Sequence, residues 1–245
     1  MAIYSPVAYT DLQHGVRTIT ADLKSDDGQT TLHSELAQAD VLVTSFRPSA
    51  LTKLGLSWEN LHARYPKLCQ IAIVGGAGER ADEAGHDLTY QAERGLITGL
   101  DLPASLYADM TGALMASEAV LQALLSQRLT GIGVFMEVAL SDGAAWAALP
   151  RTWGMTLPGT PLGGAHAGYR VYPCLDGRVA VAALEPHFAK RLAIESNMGE
   201  SGAFAMHEPA IHRHLQAFFA QRTRAELDQL AADKDIPLHT LPAIA

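Results

Sequence analysis

Apolar and polar positions along the 245-residue chain switch between two periods, and the predicted elements follow from where they switch. Thr18-Ile-Thr-Ala-Asp-Leu-Lys24 alternates, which predicts a short strand. Asp26-Asp-Gly28 is a turn that opens a helix through Glu35 to Ala39. Asp40-Val-Leu-Val-Thr44 is a compact apolar run, the pattern of a parallel strand buried on both faces, and Leu68-Cys-Gln-Ile-Ala-Ile-Val74 is another buried strand. Between them Ser49 to Leu54 reads as a short helix stopped by Gly55, and Ser57 caps a further helix through Arg64. The second run ends in the loop Gly75-Gly-Ala-Gly78. Strand, helix and strand at this spacing predict a doubly wound α/β unit.

The clearest helical period covers Thr111 to Arg128, with Leu114, Met115, Leu121, Leu124 and Leu125 on one face. Gly131 and Gly133 then turn the chain into a strand over Val134 to Leu140, and Ser141-Asp-Gly143 caps a short helix through Leu149. Pro150 to Gly168 breaks the pattern with three prolines and five glycines, which marks a loop or a domain crossover. Beyond it, Tyr169-Arg-Val-Tyr172, Asp176-Gly177 and Arg178 to Ala183 form a hairpin pattern. Helical periods return at Phe188 to Ile194, Ile211 to Phe219 and Arg224 to Ala232. The expected division is a large α/β domain over 1–150 and a smaller α+β domain over 151–245.

Composition narrows the class. Apolar residues make up 48% and charged residues 18%, enough for a buried core and unlike a disordered chain. The net charge is −8 and the basic residues are dispersed, which argues against nucleic acid or an anionic membrane as the partner. A phosphate-bearing small molecule needs only two or three placed donors and stays open. Cys69 and Cys174 lie in apolar runs with no zinc spacing, so buried thiols and no metal are expected. No secretory signal and no membrane-length apolar run is visible, so a soluble, cytoplasmic protein is expected. The chain has no GxSxG elbow, P-loop, HExxH or EF-hand pattern.

The candidate chemistry sits in Ala84-Gly-His-Asp-Leu-Thr-Tyr90 and Tyr107-Ala-Asp-Met-Thr-Gly112. His86 stands in a Gly-rich turn and Asp109 before the long helix. A His and an Asp suit proton transfer near neutral pH, because their unperturbed pKa values flank the range that environments can tune. Each also has an ordinary reading, a hydrogen-bonded loop histidine and a helix N-cap. Downstream, Ala183-Leu-Glu-Pro-His187 offers Glu185, otherwise a surface glutamate before a helix-starting proline.

These motifs, taken in order, resemble the family III CoA-transferases (CaiB/BaiF), on the branch of the α-methylacyl-CoA racemases. The matching stretches are Thr20-Ala-Asp-Leu-Lys24, Ala39-Asp-Val-Leu-Val-Thr-Ser-Phe-Arg-Pro48, Leu54-Gly-Leu56, Gly85-His-Asp87 and Ala108-Asp109. Further on come Gln122-Ala-Leu-Leu-Ser-Gln-Arg128, Thr130-Gly-Ile-Gly133, Ser141-Asp-Gly143, Tyr169-Arg-Val-Tyr172 and Ala183-Leu-Glu-Pro186. Two departures stand out. The family begins with a further strand–helix segment that contacts CoA, and it continues past Ile236-Pro-Leu-His-Thr-Leu-Pro242 into a tail. The resemblance therefore implies an incomplete doubly wound, Rossmann-like parallel sheet domain plus a smaller α+β domain. Ser45 also stands where the family usually has Asn.

The resemblance implies roles residue by residue. Asp109 matches the aspartate that attacks the thioester in the transferases and serves as one of two acid/base groups in the racemases. His86 matches the histidine of the racemases' Gly-His-Asp, where many transferases have another residue. Glu185 matches a glutamate near that histidine, suited to orienting its ring, while Asp87 would bond a local backbone N–H or orient His86 itself. Phe46 and Arg47 match the loop lining the CoA site. Apart from the resemblance, Gly75 and Gly76 follow a predicted strand, where glycines let backbone approach a phosphate, though the run is not GxGxxG. Coenzyme A is then part of the substrate and no prosthetic group is implied. The expected activity is racemase-like 1,1-proton transfer at the α-carbon of a 2-substituted acyl-CoA. CoA transfer through Asp109 is the alternative enzyme. A catalytically inactive remnant, or a subunit completed by a separate polypeptide, is the alternative outside enzymes. The family's interlocked dimers imply a homodimer as the partner state.

Overall fold

The computed structural model describes residues 5–244. The chain divides into two compact units, one up to Ala147 and one from Ala148. The first unit opens with helix α1, Pro6–Leu12, and continues with α2, Asp26–Leu36, whose N-terminus is capped by Ser25 Oγ accepting the Gly28 N–H at 3.1 Å. The strand expected over Thr18 to Lys24 is absent. Its polar groups are spent locally instead. Asp22 accepts the Lys24 N–H at 3.0 Å and its carbonyl accepts the Ser25 hydroxyl, a turn that sets up the α2 cap.

Strand β1, Val41–Thr44, leads through α3, Pro48–Lys53, and α4, Trp58–Arg64, to β2, Cys69–Val74. After a 3-10 turn at Gly78–Asp82 come α5, Asp87–Glu93, and the long helix α6, Tyr107–Thr130, then β3, Phe135–Ala139, and α7, Leu140–Ala147. The three strands form one parallel sheet in the order β1-β2-β3. β2 is the centre and is covered on both sides. Cys69 and Ile71 pack with Ala116, Ala119 and Ala123 of α6, while Ala72 and Val74 pack with Ala81 and Ala139. Leu36, Leu51, Leu56 and Leu61 bring α2, α3 and α4 together around Leu42. β1 departs from the two-faced burial its sequence suggested: it is an edge strand, and Val43 is half exposed.

α6 corrects two expectations. It starts at Tyr107, so Asp109 lies inside its first turn rather than ahead of it. Its buried face is the stripe Ala108, Gly112, Ala116, Ala119 and Ala123, and the leucines at 114, 121 and 125 are exposed. The reason is close approach. A Cβ on Gly112 would run into the Leu140 side chain, and one on Gly143 of α7 would sit 3.0 Å from the Gly112 nitrogen and 3.1 Å from the Ala108 carbonyl oxygen. Only small residues fit where α6 crosses α7 and the sheet, so the leucines cannot take that face.

The second unit begins with α8, Leu149–Thr152, and a 3-10 turn at Pro161–Gly163. Its antiparallel sheet has the order β4-β5-β6, from Tyr169–Cys174, Gly177–Ala182 and Leu238–Pro242. Helices α9, Pro186–Glu195, α10, Pro209–Ala220, and α11, Arg224–Lys234, close a core of Tyr172, Val179, Leu192, Leu215, Phe219 and Leu227. β6 escaped the sequence reading because prolines at 237 and 242 mask it. As a strand at the end of the β4-β5-β6 order it tolerates them.

Candidate active site at the carboxyl ends of the parallel strands

The three parallel strands release the chain toward one place. Ser45, Phe46 and Arg47 follow β1, Gly75 follows β2 and Leu140 follows β3, and all of them line one cavity of about 320 Å³. The carboxyl ends of strands are where open α/β sheets take ligands, since chain reversals there leave backbone groups and loop side chains around a crevice. Ala84, Gly85, His86 and Tyr90 complete the wall at the start of α5. Gly76, paired with Gly75 in the sequence reading, is buried under Arg80 and is not among the lining residues.

His86 is the residue before α5 and is exposed. Its backbone is fixed by Thr89, whose hydroxyl accepts the His86 N–H at 3.0 Å and donates to the His86 carbonyl at 2.7 Å. Asp87 is buried and reaches across to α6, where its Oδ1 accepts the N–H groups of Ala108 at 2.8 Å and Asp109 at 3.0 Å. Leu106, which precedes α6, has no side chain able to cap it, so Asp87 performs that task from another helix. The Asp109 residue is exposed, yet the protein packed around its carboxyl desolvates it in part. That desolvation and then the Asp87 charge push it above the usual carboxylate range, with His86 pulling it down.

Tyr90 fills the space between two glycines. A Cβ on Gly85 would sit 2.5 Å from its hydroxyl oxygen and 2.6 Å from Cε1, and one on Gly75 would collide with the same oxygen. Burial and then the Asp109 charge push the phenol above its ordinary value, with Arg47 and Arg80 pulling down. Arg80 itself is engaged, with Nη1 and Nη2 on Glu93 and Nε on Glu83. Arg47 makes no ion pair among the described residues and is the uncommitted cation of the cavity. An imidazole, a guanidinium without an ion pair and a concave wall of mixed polar and apolar side chains thus share the sheet's carboxyl edge, and Asp109 lies outside that wall, bonded through its N–H to Asp87.

Residues 3–245 match the model of CoA-transferase family III. The chain belongs to that family. It is 31% identical over 241 residues to the alpha-methylacyl-CoA racemase of Mus musculus, which covers 89% of this chain and 63% of the racemase. It is 30% identical to the succinate–glutarate CoA-transferase of Agrobacterium fabrum over 73% of this chain and 48% of the relative. The chain thus spans less than two thirds of the length of these curated relatives. A CAIB/BAIF family protein from Brucella suis has the same fold, with a TM-score of 0.73 at 24% identity over 91% of this chain and 65% of that one.

For a family III chain the three sequence-picked acid/base residues fall into two groups. His86 and Asp109 are linked through Asp87, which follows His86 in the chain and accepts the Asp109 N–H at 3.0 Å. Glu185 belongs to the second unit, where it is the exposed residue just before α9. Phe46, Arg47 and Gly75 share the cavity with His86. Sequence reasoning passed over Tyr90. The signal was available: an aromatic four residues after His86 on a helix, with glycines at 75 and 85 to make room for it. No helix among the described residues is long and apolar enough to cross a membrane.

Proposed function

We propose that the chain processes acyl-CoA thioesters and interconverts the epimers of a 2-substituted acyl-CoA by 1,1-proton transfer between His86 and Asp109. The observation that carries this reading is the bond from the Asp109 N–H to Asp87 at 3.0 Å, which brings Asp109 beside the neighbour of His86, a residue of the strand-end cavity wall. One of the two removes the α-proton, and the electron pair of the broken C–H bond moves into the thioester carbonyl to give an enolate. The other returns a proton to the opposite face of the α-carbon, re-forming the C–H bond and the carbonyl. A carboxyl raised above its ordinary range is the better matched to this exchange, since base strength and the correct protonation state both count near neutral pH.

The CoA part of the substrate fits the same edge. Arg47 is free to pair with phosphate oxygens and Phe46 offers an exposed aromatic face. The exposed leucines of α6 support assembly as a homodimer or with a further subunit. CoA transfer is the second reading. It is favoured by Asp109 standing exposed in the first turn of α6, where its carboxylate would attack the thioester carbonyl, expel the CoA thiolate and form a mixed anhydride. The test is deuterium wash-in at the α-carbon of 2-methylacyl-CoA. His86→Ala should abolish it while leaving CoA transfer to an acceptor carboxylate mostly intact. Loss of both activities, or of neither, overturns the division of roles.

A further inference from the structure

We propose that Asp87 is a positioning residue for the His86/Asp109 pair, its buried carboxylate tying the first turn of α6 to the start of α5 and so holding the two reacting side chains at a fixed separation. The inference rests on the proton-transfer reading above.

The geometry is a clasp. Asp87 is 6% exposed and directly follows His86 in the chain. Oδ1 takes the Ala108 and Asp109 N–H groups, and Oδ2 takes the amide of Gln91, one turn further along α5. Gln91 is fully buried and its Nε2 also donates to the Ser105 carbonyl at 3.3 Å, just before α6. Two buried polar side chains on α5 therefore bind backbone at 105, 108 and 109. The twelve residues between Arg94 and Tyr107 are mostly bends and irregular backbone, with the large side chains of Leu100 and Leu102 in solvent. Besides the clasp, α5 meets the start of α6 through Tyr90, packed against Ala108; that apolar contact carries no direction, and the clasp adds the bonds that fix where the Asp109 backbone stands.

The same carboxylate sets the electrostatics. The ionisable groups near the start of α6 are His86, Asp87 and Tyr90 from α5 and the exposed Asp142 from α7. Farther along α6, β2 presents Cys69, whose thiol faces the Ala123 carbonyl, whereas Glu137 of β3 lies on the other face of the sheet and holds the Gly78 N–H. Among them Asp87 raises the Asp109 carboxyl and His86 lowers it. A neutral amide in place of Asp87 keeps an acceptor for both N–H groups yet removes the charge. Rotating the Gln91 amide would then offer the new side chain its Oε1, which now lacks a partner.

The experiment uses Asp87→Asn and Asp87→Ala in the full chain. Carbon-detected NMR follows the Asp109 carboxyl and the Ala108 and Asp109 amides, and α-deuterium exchange is measured against pH. In Asp87→Asn the Asp109 titration moves to lower pH, and the acid limb of the exchange profile moves with it, while the fold is kept. In Asp87→Ala the two amide resonances shift and kcat falls on the order of a hundredfold, with KM little changed, as expected for lost orientation. An unmoved Asp109 titration in Asp87→Asn, or an unchanged kcat in Asp87→Ala, overturns the proposal. A wild-type protein without α-exchange overturns the proton-transfer reading instead, and the carboxyl titration and the amide shifts then decide the role of Asp87 by themselves.

Discussion

Replacing Gly75 with Ala is expected to destabilise the first unit through one atom, the hydroxyl oxygen of Tyr90. Neither Gly75 nor Gly85 has positive φ, so alanine meets no backbone strain at either position. The cost comes from space. At Gly75 the new Cβ collides with the hydroxyl oxygen, the next atom being Cζ at 3.1 Å. At Gly85 it meets the ring as well, with the oxygen at 2.5 Å, Cε1 at 2.6 Å and Cζ at 2.7 Å. The ring cannot retreat freely, because it is buried against Ala108 and Ala144. Overpacking of this kind costs about 1–3 kcal/mol, and the entropy removed from the unfolded chain by Gly→Ala returns roughly 0.4–1 kcal/mol.

Tyr90→Phe removes the oxygen and little else, since the hydroxyl makes no hydrogen bond to protein among the described residues. In that background Gly75→Ala meets only Cζ at 3.1 Å, a contact relieved by a few tenths of an ångström, and its cost should fall to near zero. Gly85→Ala keeps its clash with the ring and should cost as much as before. Urea unfolding followed by Trp58 and Trp146 fluorescence measures both double-mutant cycles. The expected coupling is about 1–2 kcal/mol for the Gly75/Tyr90 pair and below about 0.5 kcal/mol for Gly85/Tyr90. Equal coupling in the two cycles, or none at Gly75, refutes the argument that the hydroxyl alone fills the space over Gly75.

Two further predictions concern pH. Asp109→Asn should raise rather than lower Tm at pH 7. The raised carboxyl makes the folded chain hold its proton longer than the unfolded one, so stability falls as pH rises from the ordinary carboxylate value through the raised one. The loss of a helix-dipole interaction is small here, because Asp87 already brings a negative charge to that terminus, and with Asp109 exposed the gain stays below about 1 kcal/mol. A lower Tm for the variant at pH 7 would contradict this. In the second unit, His166 is held below its ordinary value by burial and then by the His207 and His212 charges. Its contribution to stability is intact above the ordinary histidine pKa of about 6.5 and is lost as pH falls from there through the folded value. His166→Asn can keep the bond that Nδ1 accepts from the Gly168 N–H, and should flatten the fall of the urea midpoint between about pH 7 and 5. An unchanged slope would assign the acid sensitivity elsewhere.

How far the sequence could be read depended on whether a signal was local. β2 was legible because a central parallel strand must be apolar on both faces, and α3, α4 and the β4–β5 hairpin were legible because Gly55, Ser57 and Asp176-Gly177 punctuate them. Thr18 to Lys24 alternates without a neighbour to pair with, and alternation alone does not make a strand. The packing of α6 was misread for a sharper reason. Its leucines carry the helical period, but the face that contacts the sheet and α7 is chosen by how close two backbones come, and glycine and alanine win that competition. His86, Asp109, Phe46, Arg47 and Gly75 were all picked from motifs, whereas the cap that joins two of them is a long-range bond with no local signature.

That cap bears on why the site is built as it is. On the proton-transfer reading proposed above, the pair must be close enough to share a substrate carbon and yet be carried by different elements, so that the two groups reach opposite faces of it. α5 and α6 satisfy the second condition as separate helices, and the packing of Tyr90 on Ala108 together with the bonds of Asp87 and Gln91 serves the first. An acidic residue is the one choice that both accepts two converging N–H groups and raises the neighbouring carboxyl toward the pH at which it must exchange protons. Asparagine would do the first alone, and serine, with its shorter side chain, would reach less far across. The position after His86 therefore links the geometry of the pair to its acidity, and a substitution there tests both at once.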